Sequence, residues 1–248
     1  MEWWRDYFDA SYLQRYMFDS EQTVAEVLML RDLLPEAPAD ILDLACGQGR
    51  HSIALAKGSY TVIGLDASPQ LLAVARQAAV EVDALVDFVE GDMRAIPYSA
   101  CFDGVINMFT AFGYFPDEQD NQLVLDGIAR ALKPGGRLVM ELMHRDRVVA
   151  TFRETDWYEL DDDTVVWVRR HFDPLRGLNT VIDRWRTSDG EEHERHHQIR
   201  LYTPTELNAM LRAAGLVPTA WYGTIGLHAL TIASPRMIVV AEKPLAAA

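Results

Sequence analysis

Short apolar runs alternate with helical patterns of apolar residues between Ile41 and Leu142. Five of the runs have the length and composition of β-strands: Ile41–Ala45, Thr61–Asp66, Val86–Glu90, Gly104–Met108 and Arg137–Leu142. The helical patterns between them lie at about Arg50–Lys57, Pro69–Val82 and Glu118–Leu132. Because strands that are apolar throughout and separated by helices are typical of parallel sheets, this stretch predicts an α/β fold of the doubly wound type.

The chain on either side of this core follows other patterns. Two helical stretches precede it, at about Glu2–Phe18 and Glu21–Leu34, and they predict a helical N-terminal lid. Three β-rich segments divided by turns come after it: Val165–Phe172, Leu178–Arg186 and Glu192–Leu201. They predict an antiparallel β meander inserted before two final strands, near Val217–Gly223 and Arg236–Ala241.

Capping and turn residues support these bounds. Ser68 before Pro69 is typical of a helix start, with a capping hydroxyl followed by proline at the first helical position. Thr203 and Glu206 have the spacing of a capping box, which predicts the start of a late helix. The segment Lys133–Gly136 holds a proline and two glycines, and it predicts a turn from the third core helix into the fifth strand.

Charge and cysteine content narrow the function classes. The 248 residues include 23 basic and 37 acidic ones, which give a net charge of −14. A field of this sign repels phosphate backbones and anionic headgroups, so we expect neither a nucleic-acid nor a membrane partner. The two cysteines, Cys46 and Cys101, allow at most one disulfide, and the first residues lack the pattern of a signal peptide. We therefore expect a cytoplasmic location.

The loop after the first strand carries the candidate chemistry. Asp43 lies near the end of that strand, and small residues follow it at Ala45, Gly47 and Gly49. Small residues let a backbone turn tightly and approach a ligand closely. Cys46, within the loop, has the pattern of a small buried residue rather than of a nucleophile.

Acidic residues also follow the next two strands. Asp66 ends the second strand, 23 positions after Asp43, and Asp92 and Met93 follow the third. A carboxylate at the place of Asp66 can accept the two hydroxyls of a ribose. Asp92 can accept the exocyclic amine of adenine while Met93 packs against the ring, although Asp92 can also cap a helix. Together the loop and the acids predict a site for an adenosine-containing ligand.

Two phosphate-binding alternatives fit the loop less well. In a dinucleotide-binding G-x-G-x-x-G loop the third glycine would stand at Ser52, and Asp43 would lie beside a pyrophosphate. No Gly-Lys-Ser/Thr follows the loop, as a P-loop requires. A ligand with a cationic amine or sulfonium and no phosphate suits Asp43 better.

These residues resemble the class I S-adenosylmethionine-dependent methyltransferases. The segment Asp43–Gly49 matches the family's acidic-x-Gly-x-Gly-x-Gly loop, with Ala45 in place of its first glycine. Asp66 and Asp92 match the ribose-binding and adenine-binding acids of the family, and Leu132–Leu138 is similar to its turn into the fifth strand. The resemblance implies S-adenosyl-L-methionine as cofactor and a Rossmann-like, seven-stranded sheet of order 3-2-1-4-5-7-6 with the last strand antiparallel.

The resemblance also implies a set of site residues. The candidate cofactor-binding residues are Tyr16, Asp43, Ala45, Cys46, Gly47, Gly49, Asp66, Ala67, Asp92, Met93 and Asn107. Tyr16 ends an aromatic stripe with Trp4, Phe8 and Tyr12, which either packs as a lid or brings one tyrosine to the cofactor. Asn107 is expected at the end of the fourth strand, facing the methyl-transfer position.

Two candidate catalytic residues lie elsewhere. His144 follows the fifth strand at its carboxyl end, where it can act as a general base or only satisfy local hydrogen bonds. Tyr114 belongs to the aromatic stretch Phe109–Phe115 that follows the fourth strand. The histidines His193, His196 and His197 do not have the spacing of a zinc site, so we expect no metal.

One domain with four parts is expected: a lid at residues 1–36, a cofactor-binding core at 37–145, a β-rich cap or dimer element at 150–202, and a C-terminal part at 203–248. The stretch Phe109–Phe115 resembles small-molecule methyltransferases, which implies N- or O-methylation of a small acceptor by a monomer or homodimer. The alternatives are an RNA-modifying methyltransferase, an NAD-type oxidoreductase and a non-catalytic cofactor-binding module.

Overall fold

The computed structural model describes Tyr7, Phe8, Tyr12, Leu13 and residues 20–160, 164–187 and 190–245. Its helices are α1 (Ser20–Leu33), α2 (Arg50–Lys57), α3 (Pro69–Glu81), α4 (Glu118–Ala131), α5 (Arg145–Ala150) and α6 (Pro204–Ala213). Its strands are β1 (Asp40–Leu44), β2 (Thr61–Asp66), β3 (Val86–Glu90), β4 (Phe102–Asn107), β5 (Leu132–Met143), β6 (Thr155–Glu159), β7 (Val165–Asp173), β8 (Leu178–Arg186), β9 (Glu192–Arg200), β10 (Val217–Tyr222) and β11 (Arg236–Glu242).

Seven of these strands form one mixed sheet in the order β3-β2-β1-β4-β5-β11-β10. The strands β1 to β5 are parallel to one another, whereas β11 pairs antiparallel with both β5 and β10. In chain order this sheet reads 3-2-1-4-5-7-6, so the predicted topology is confirmed. The order reverses direction at β1, and open α/β sheets bind ligands outside the carboxyl ends of the strands at such a point.

The core strands bury side chains on both faces, as their apolar sequences require. Leu42 and Leu44 of β1 belong to a cluster that packs under α4 and α6, whereas Ile41 belongs to a second cluster with Leu30 of α1 and Leu55 of α2. Successive residues of a strand point to opposite faces, which explains this division. Helices therefore cover both sides of the sheet and leave its carboxyl edge for the loops.

The predicted caps are present. The Ser68 hydroxyl accepts a hydrogen bond from the Leu71 amide at the start of α3. Thr203 and Glu206 form a complete capping box at the start of α6.

The predicted turn at Lys133–Gly136 is wrong in one respect, because β5 already begins at Leu132 and runs through it. The Gly135 amide donates to the Lys243 carbonyl at 2.8 Å, and the Lys243 amide donates to the Gly136 carbonyl at 2.9 Å. These bonds give the segment a strand partner that lies more than a hundred positions away in the sequence. Pairing with β4 is interrupted there by a bulge, which accommodates the extra residues.

The inserted meander has four strands rather than three, in the order β6-β7-β8-β9. The strand β6 was not predicted, and it pairs with β7 along the edge of the sheet. The last strand of the meander, β9, is joined to the core because the Arg200 amide donates to the Gly113 carbonyl at 2.7 Å. It also contacts the N-terminal segment, since Arg195 donates to the Tyr7 carbonyl at 2.9 Å and the rings of Tyr7 and His197 lie 4.8 Å apart.

Among the described residues, none of the helices combines the length and the apolar character that crossing a membrane would require.

Gly64 of β2 shows how closely the loop after β1 packs on the sheet. A Cβ atom at Gly64 would lie 2.8 Å from Phe88 Cδ1 and 2.9 Å from Cys46 Sγ. We expect Gly64→Ala to lower the free energy of unfolding by about 1–3 kcal/mol, because the added methyl overpacks this contact. Chemical denaturation measures the change. Thr61→Ala, at an exposed position of the same strand, should change stability by no more than about 0.5 kcal/mol. Equal effects of the two substitutions would contradict the close packing at Gly64.

Candidate functional site

A cavity opens at the carboxyl ends of β1, β2, β3 and β4, where the sheet order reverses. Its acidic lining comes from three different strand ends: Asp43, Asp66 and Asp92. Aromatic residues form much of the rest: Phe8, Tyr12, Phe109, Tyr114 and Phe115. The parallel strands thus bring together acids that are far apart in the sequence, as the pattern of strand ends predicted.

The loop after β1 has the left-handed backbone that its small residues allow. The φ angles of Ala45, Gly47 and Gly49 are 59°, 56° and 76°. A Cβ atom at Gly49 would lie 2.6 Å from the Phe88 ring, so this glycine is needed for packing inside the protein. A Cβ atom at Gly47 would meet only Leu71 Cδ1, at 3.9 Å, so this glycine instead keeps space free on the cavity side.

Asp66 holds this loop in place. One carboxylate oxygen accepts a hydrogen bond from the Gly47 amide at 2.7 Å, and the other accepts one from the Ser68 amide at 2.8 Å. Burial raises the pKa of Asp66, and the two amides oppose that increase. An ionised carboxylate has about four acceptor positions, so Asp66 keeps acceptor capacity for a ligand with hydroxyl groups.

Asp43 is 2% exposed and accepts a hydrogen bond from the Ser52 hydroxyl at 2.6 Å. Burial raises the pKa of its carboxyl group, while His51 and Ser52 act in the opposite direction. Asp43 therefore offers a desolvated acceptor, which suits a cationic group better than a phosphate.

Asp92 lines the cavity and also caps a short 3-10 turn, Met93–Ala95. Its side chain accepts a hydrogen bond from the Arg94 amide at 2.8 Å and pairs with the Arg94 guanidinium at 2.6 Å. Both interpretations of Asp92, as a cap and as a lining residue, therefore describe the same carboxylate. Met93 and Ala67 line the cavity beside it.

Cys46 lies in the loop between the two deeply buried acids. Burial raises the pKa of its thiol well above the ordinary value, and the charges of Asp43 and Asp66 act in the same direction. Both cysteines of the chain are free.

Of the candidate residues that the structure describes, three lie outside the cavity lining: Gly49, Asn107 and His144. Asn107 is fully buried, and its side-chain amide donates to the Leu44 carbonyl at 2.9 Å, which joins β4 to β1. His144 precedes α5, and its Nδ1 lies 3.1 Å from the carbonyl oxygen of Ser234, which comes just before β11. The structure therefore does not bring Asn107 or His144 to the cavity, in contrast to the expectation from strand ends alone.

The N-terminal aromatic stripe reaches the cavity through Phe8 and Tyr12. The Phe8 ring lies edge-on to Tyr114 at 5.5 Å, and the Ser68 hydroxyl donates to the Phe8 carbonyl at 2.6 Å. Tyr16 and Trp4 lie outside the described residues.

Sequence reasoning missed two basic residues of the lining, Arg50 and His51. They are the first two residues of α2, so their place directly after the glycine loop was the available signal. Both contact Glu26 of α1, whose carboxylate is fully buried and lies 2.9 Å from His51 Nε2. Burial raises the pKa of Glu26, but hydrogen bonds from His51 and Gln22 and the charge of Arg50 outweigh it and lower that pKa to about 2.

Within the part of the chain that the structure describes, no group of three or more His, Cys, Asp or Glu side chains is placed to hold a metal ion. The lining instead fits a compound with an adenosine and a charged amino-acid end. Acids at strand ends suit hydroxyls and amines, apolar Leu71 and Met93 suit an adenine ring, and Arg50 and His51 suit a carboxylate.

The chain is similar to known methyltransferases in sequence and in fold. The family described as "Methyltransferase domain" matches residues 41–136, which hold the loop and the three acids. The cypemycin N-terminal methyltransferase of a Streptomyces species is 31% identical over 208 residues, which cover 82% of each chain.

Two solved structures have a similar fold along nearly the whole chain. The CcbJ methyltransferase from Streptomyces caelestis has a TM-score of 0.84 at 19% identity, and the match covers 95% of this chain and 96% of the other. CalS10 with bound S-adenosylmethionine, an amino pentose methyltransferase from Micromonospora echinaspora, has a TM-score of 0.70 at 23% identity, with 94% and 95% covered. At these identities the likeness concerns the fold. Together with the relative that is similar along most of both sequences, it leads to one conclusion: the chain belongs to the class I S-adenosylmethionine-dependent methyltransferases, and S-adenosylmethionine is its cofactor.

Proposed function

We propose that this methyltransferase methylates a nitrogen or oxygen atom of a small-molecule acceptor, with an amine as the preferred class. The observation that carries the proposal is one cavity whose acidic part fits the cofactor and whose other part is aromatic. Bound S-adenosylmethionine supplies a methyl carbon that its sulfonium already activates. The protein's part is then to align the acceptor with the methyl group and to exclude water.

The cofactor's adenosine would be held by the acids of β2 and β3. Asp66 would accept from the ribose hydroxyls, while Asp92 and Met93 would take the adenine. Gly47 would let the cofactor approach the loop backbone. At the amino-acid end, Asp43 would accept from the ammonium group and Arg50 and His51 would face the carboxylate.

The acceptor would lie against the aromatic part of the cavity. Phe8, Tyr12, Phe109 and Tyr114 offer ring surfaces that exclude water and attract a positively charged nitrogen as it forms. An amine that arrives uncharged needs no strong base, which agrees with the position of His144 away from this cavity. The relative that is named for N-terminal methylation also supports a nitrogen acceptor.

The proposal is tested with methyl-labelled S-adenosylmethionine and a panel of acceptors. The panel holds small primary and secondary amines, amino sugars, phenols, short peptides and total RNA, and mass spectrometry detects the label. We expect transfer to one or more small amines, and transfer that requires Asp66. The proposal would be overturned if the label were found only in RNA, or if no small molecule in the panel became labelled.

Asp66→Asn tests the cofactor part of the site. We expect the affinity for S-adenosylmethionine to fall about 10- to 100-fold, because a charged acceptor of hydroxyl groups becomes a neutral amide. Isothermal titration calorimetry measures the affinity, and thermal denaturation shows whether the variant is folded. Asp87→Asn, at an exposed position of β3, is the matched control and should bind as the wild type does. Unchanged affinity in Asp66→Asn would remove Asp66 from the ribose site.

Tyr114 tests the acceptor part, once the panel has supplied an acceptor. Its ring packs edge-on to Phe8, so we expect Tyr114→Phe to keep kcat/KM within about threefold and Tyr114→Ala to lower it about tenfold or more. Steady-state kinetics with a fixed saturating cofactor measures both. If Tyr114→Phe is as impaired as Tyr114→Ala, the hydroxyl itself takes part in the reaction.

A further inference from the structure

Glu26 is a buried carboxylate of helix α1, and it is not itself part of the cavity lining. Its exposure is 0%, although it lies on a helix whose neighbouring acidic residue Asp32 is exposed. A buried charge is costly unless partners of opposite charge and hydrogen bonds compensate it. The contacts of Glu26 therefore indicate what it does.

One oxygen of Glu26 contacts the cavity lining. Its Oε2 accepts from Arg50 Nη1 and lies 2.9 Å from His51 Nε2. Of the described residues that line the cavity, Arg50 and His51 are the only basic ones. Glu26 thus holds both basic side chains of the lining through a single atom.

The other oxygen holds Glu26 itself in place. Its Oε1 accepts from Gln22 Nε2 at 2.8 Å and lies 3.5 Å from Arg236 Nη1. Arg236 Nη1 in turn donates to Glu141 Oε1 at 2.8 Å. Because Arg236 is anchored on β11 and Glu141 on β5, the carboxylate is fixed relative to the sheet rather than only to its own helix.

We propose that Glu26 is a positioning residue for methyl transfer, which holds Arg50 and His51 so that they bind the amino-acid end of S-adenosylmethionine. This inference rests on the proposed cofactor orientation. In that orientation Asp66 and Asp92 bind the adenosine, and Arg50 and His51 bind the amino-acid end. Glu26 then acts on one end of the cofactor only. A residue that merely stabilises the fold would affect both ends equally.

Three ligands separate these two roles. S-adenosylmethionine and S-adenosylhomocysteine carry the amino-acid end, whereas 5′-methylthioadenosine has the adenosine and the thioether without it. For Glu26→Gln we expect affinity for the first two to fall about tenfold or more and affinity for 5′-methylthioadenosine to stay within about threefold of wild type. Isothermal titration calorimetry on the full chain measures all three. Asp32→Asn, an exposed position of the same helix, is the matched control and should leave every affinity unchanged.

Glu26→Asp keeps the charge with a shorter side chain and serves if Glu26→Gln does not fold. It should show the same selective loss, smaller in size, because the carboxylate remains but its reach is reduced. An equal loss for all three ligands in the folded variant, or no loss for any, overturns the positioning role. If the wild-type protein itself does not distinguish S-adenosylhomocysteine from 5′-methylthioadenosine, the proposed cofactor orientation fails instead.

Discussion

The geometry of the cavity depends on how the end of β2 holds the loop that follows β1. The amides of Ala45 and Cys46 both donate to the Leu65 carbonyl, at 2.7 and 3.2 Å, and the next residue in β2 accepts from the Gly47 amide. One short segment of β2 therefore accepts hydrogen bonds from three successive backbone amides of the loop. Because β1 and β2 are paired in parallel register, with Leu44 opposite Leu65, the loop cannot shift without breaking the sheet. These contacts fix the Asp66 carboxylate, the loop glycines Gly47 and Gly49, and the start of α2 relative to one another.

The elements that sequence predicted best are those whose signals are local. The strands Thr61–Asp66 and Val86–Glu90 and the helix Arg50–Lys57 have the predicted bounds, because an apolar run or a helical pattern changes abruptly at each end. The strand β6 was missed because it is a half-exposed edge strand whose residues alternate between partly buried and exposed, and its pairing with β7 is what makes it a strand. The segment at Lys133–Gly136 was misjudged for the same reason, since its partner comes from the end of the chain.

The site residues also separate into those that local sequence signals predicted and those that depend on distant parts of the chain. The acids were predictable because each lies at or near the carboxyl end of a core strand, and parallel strands bring these ends to one edge. The proposed places of Asn107 and His144 rested on the same rule, but a strand end does not determine which way a side chain turns. Asn107 turns inward to the backbone of β1, and His144 belongs to the β5–β11 side of the sheet. Glu26 could not be predicted at all, because its partners come from α2 and β11 and an acid on a helix is ordinarily solvated.

Cys46 has a consequence for an enzyme that binds an alkylating agent. A thiolate is a far better nucleophile than a thiol, and Cys46 lines the cavity proposed for the methyl donor. Burial and two neighbouring carboxylates keep the sulfur protonated at neutral pH. In the proposed site, the acids that bind the methyl donor would thereby also disfavour alkylation of Cys46 by that donor.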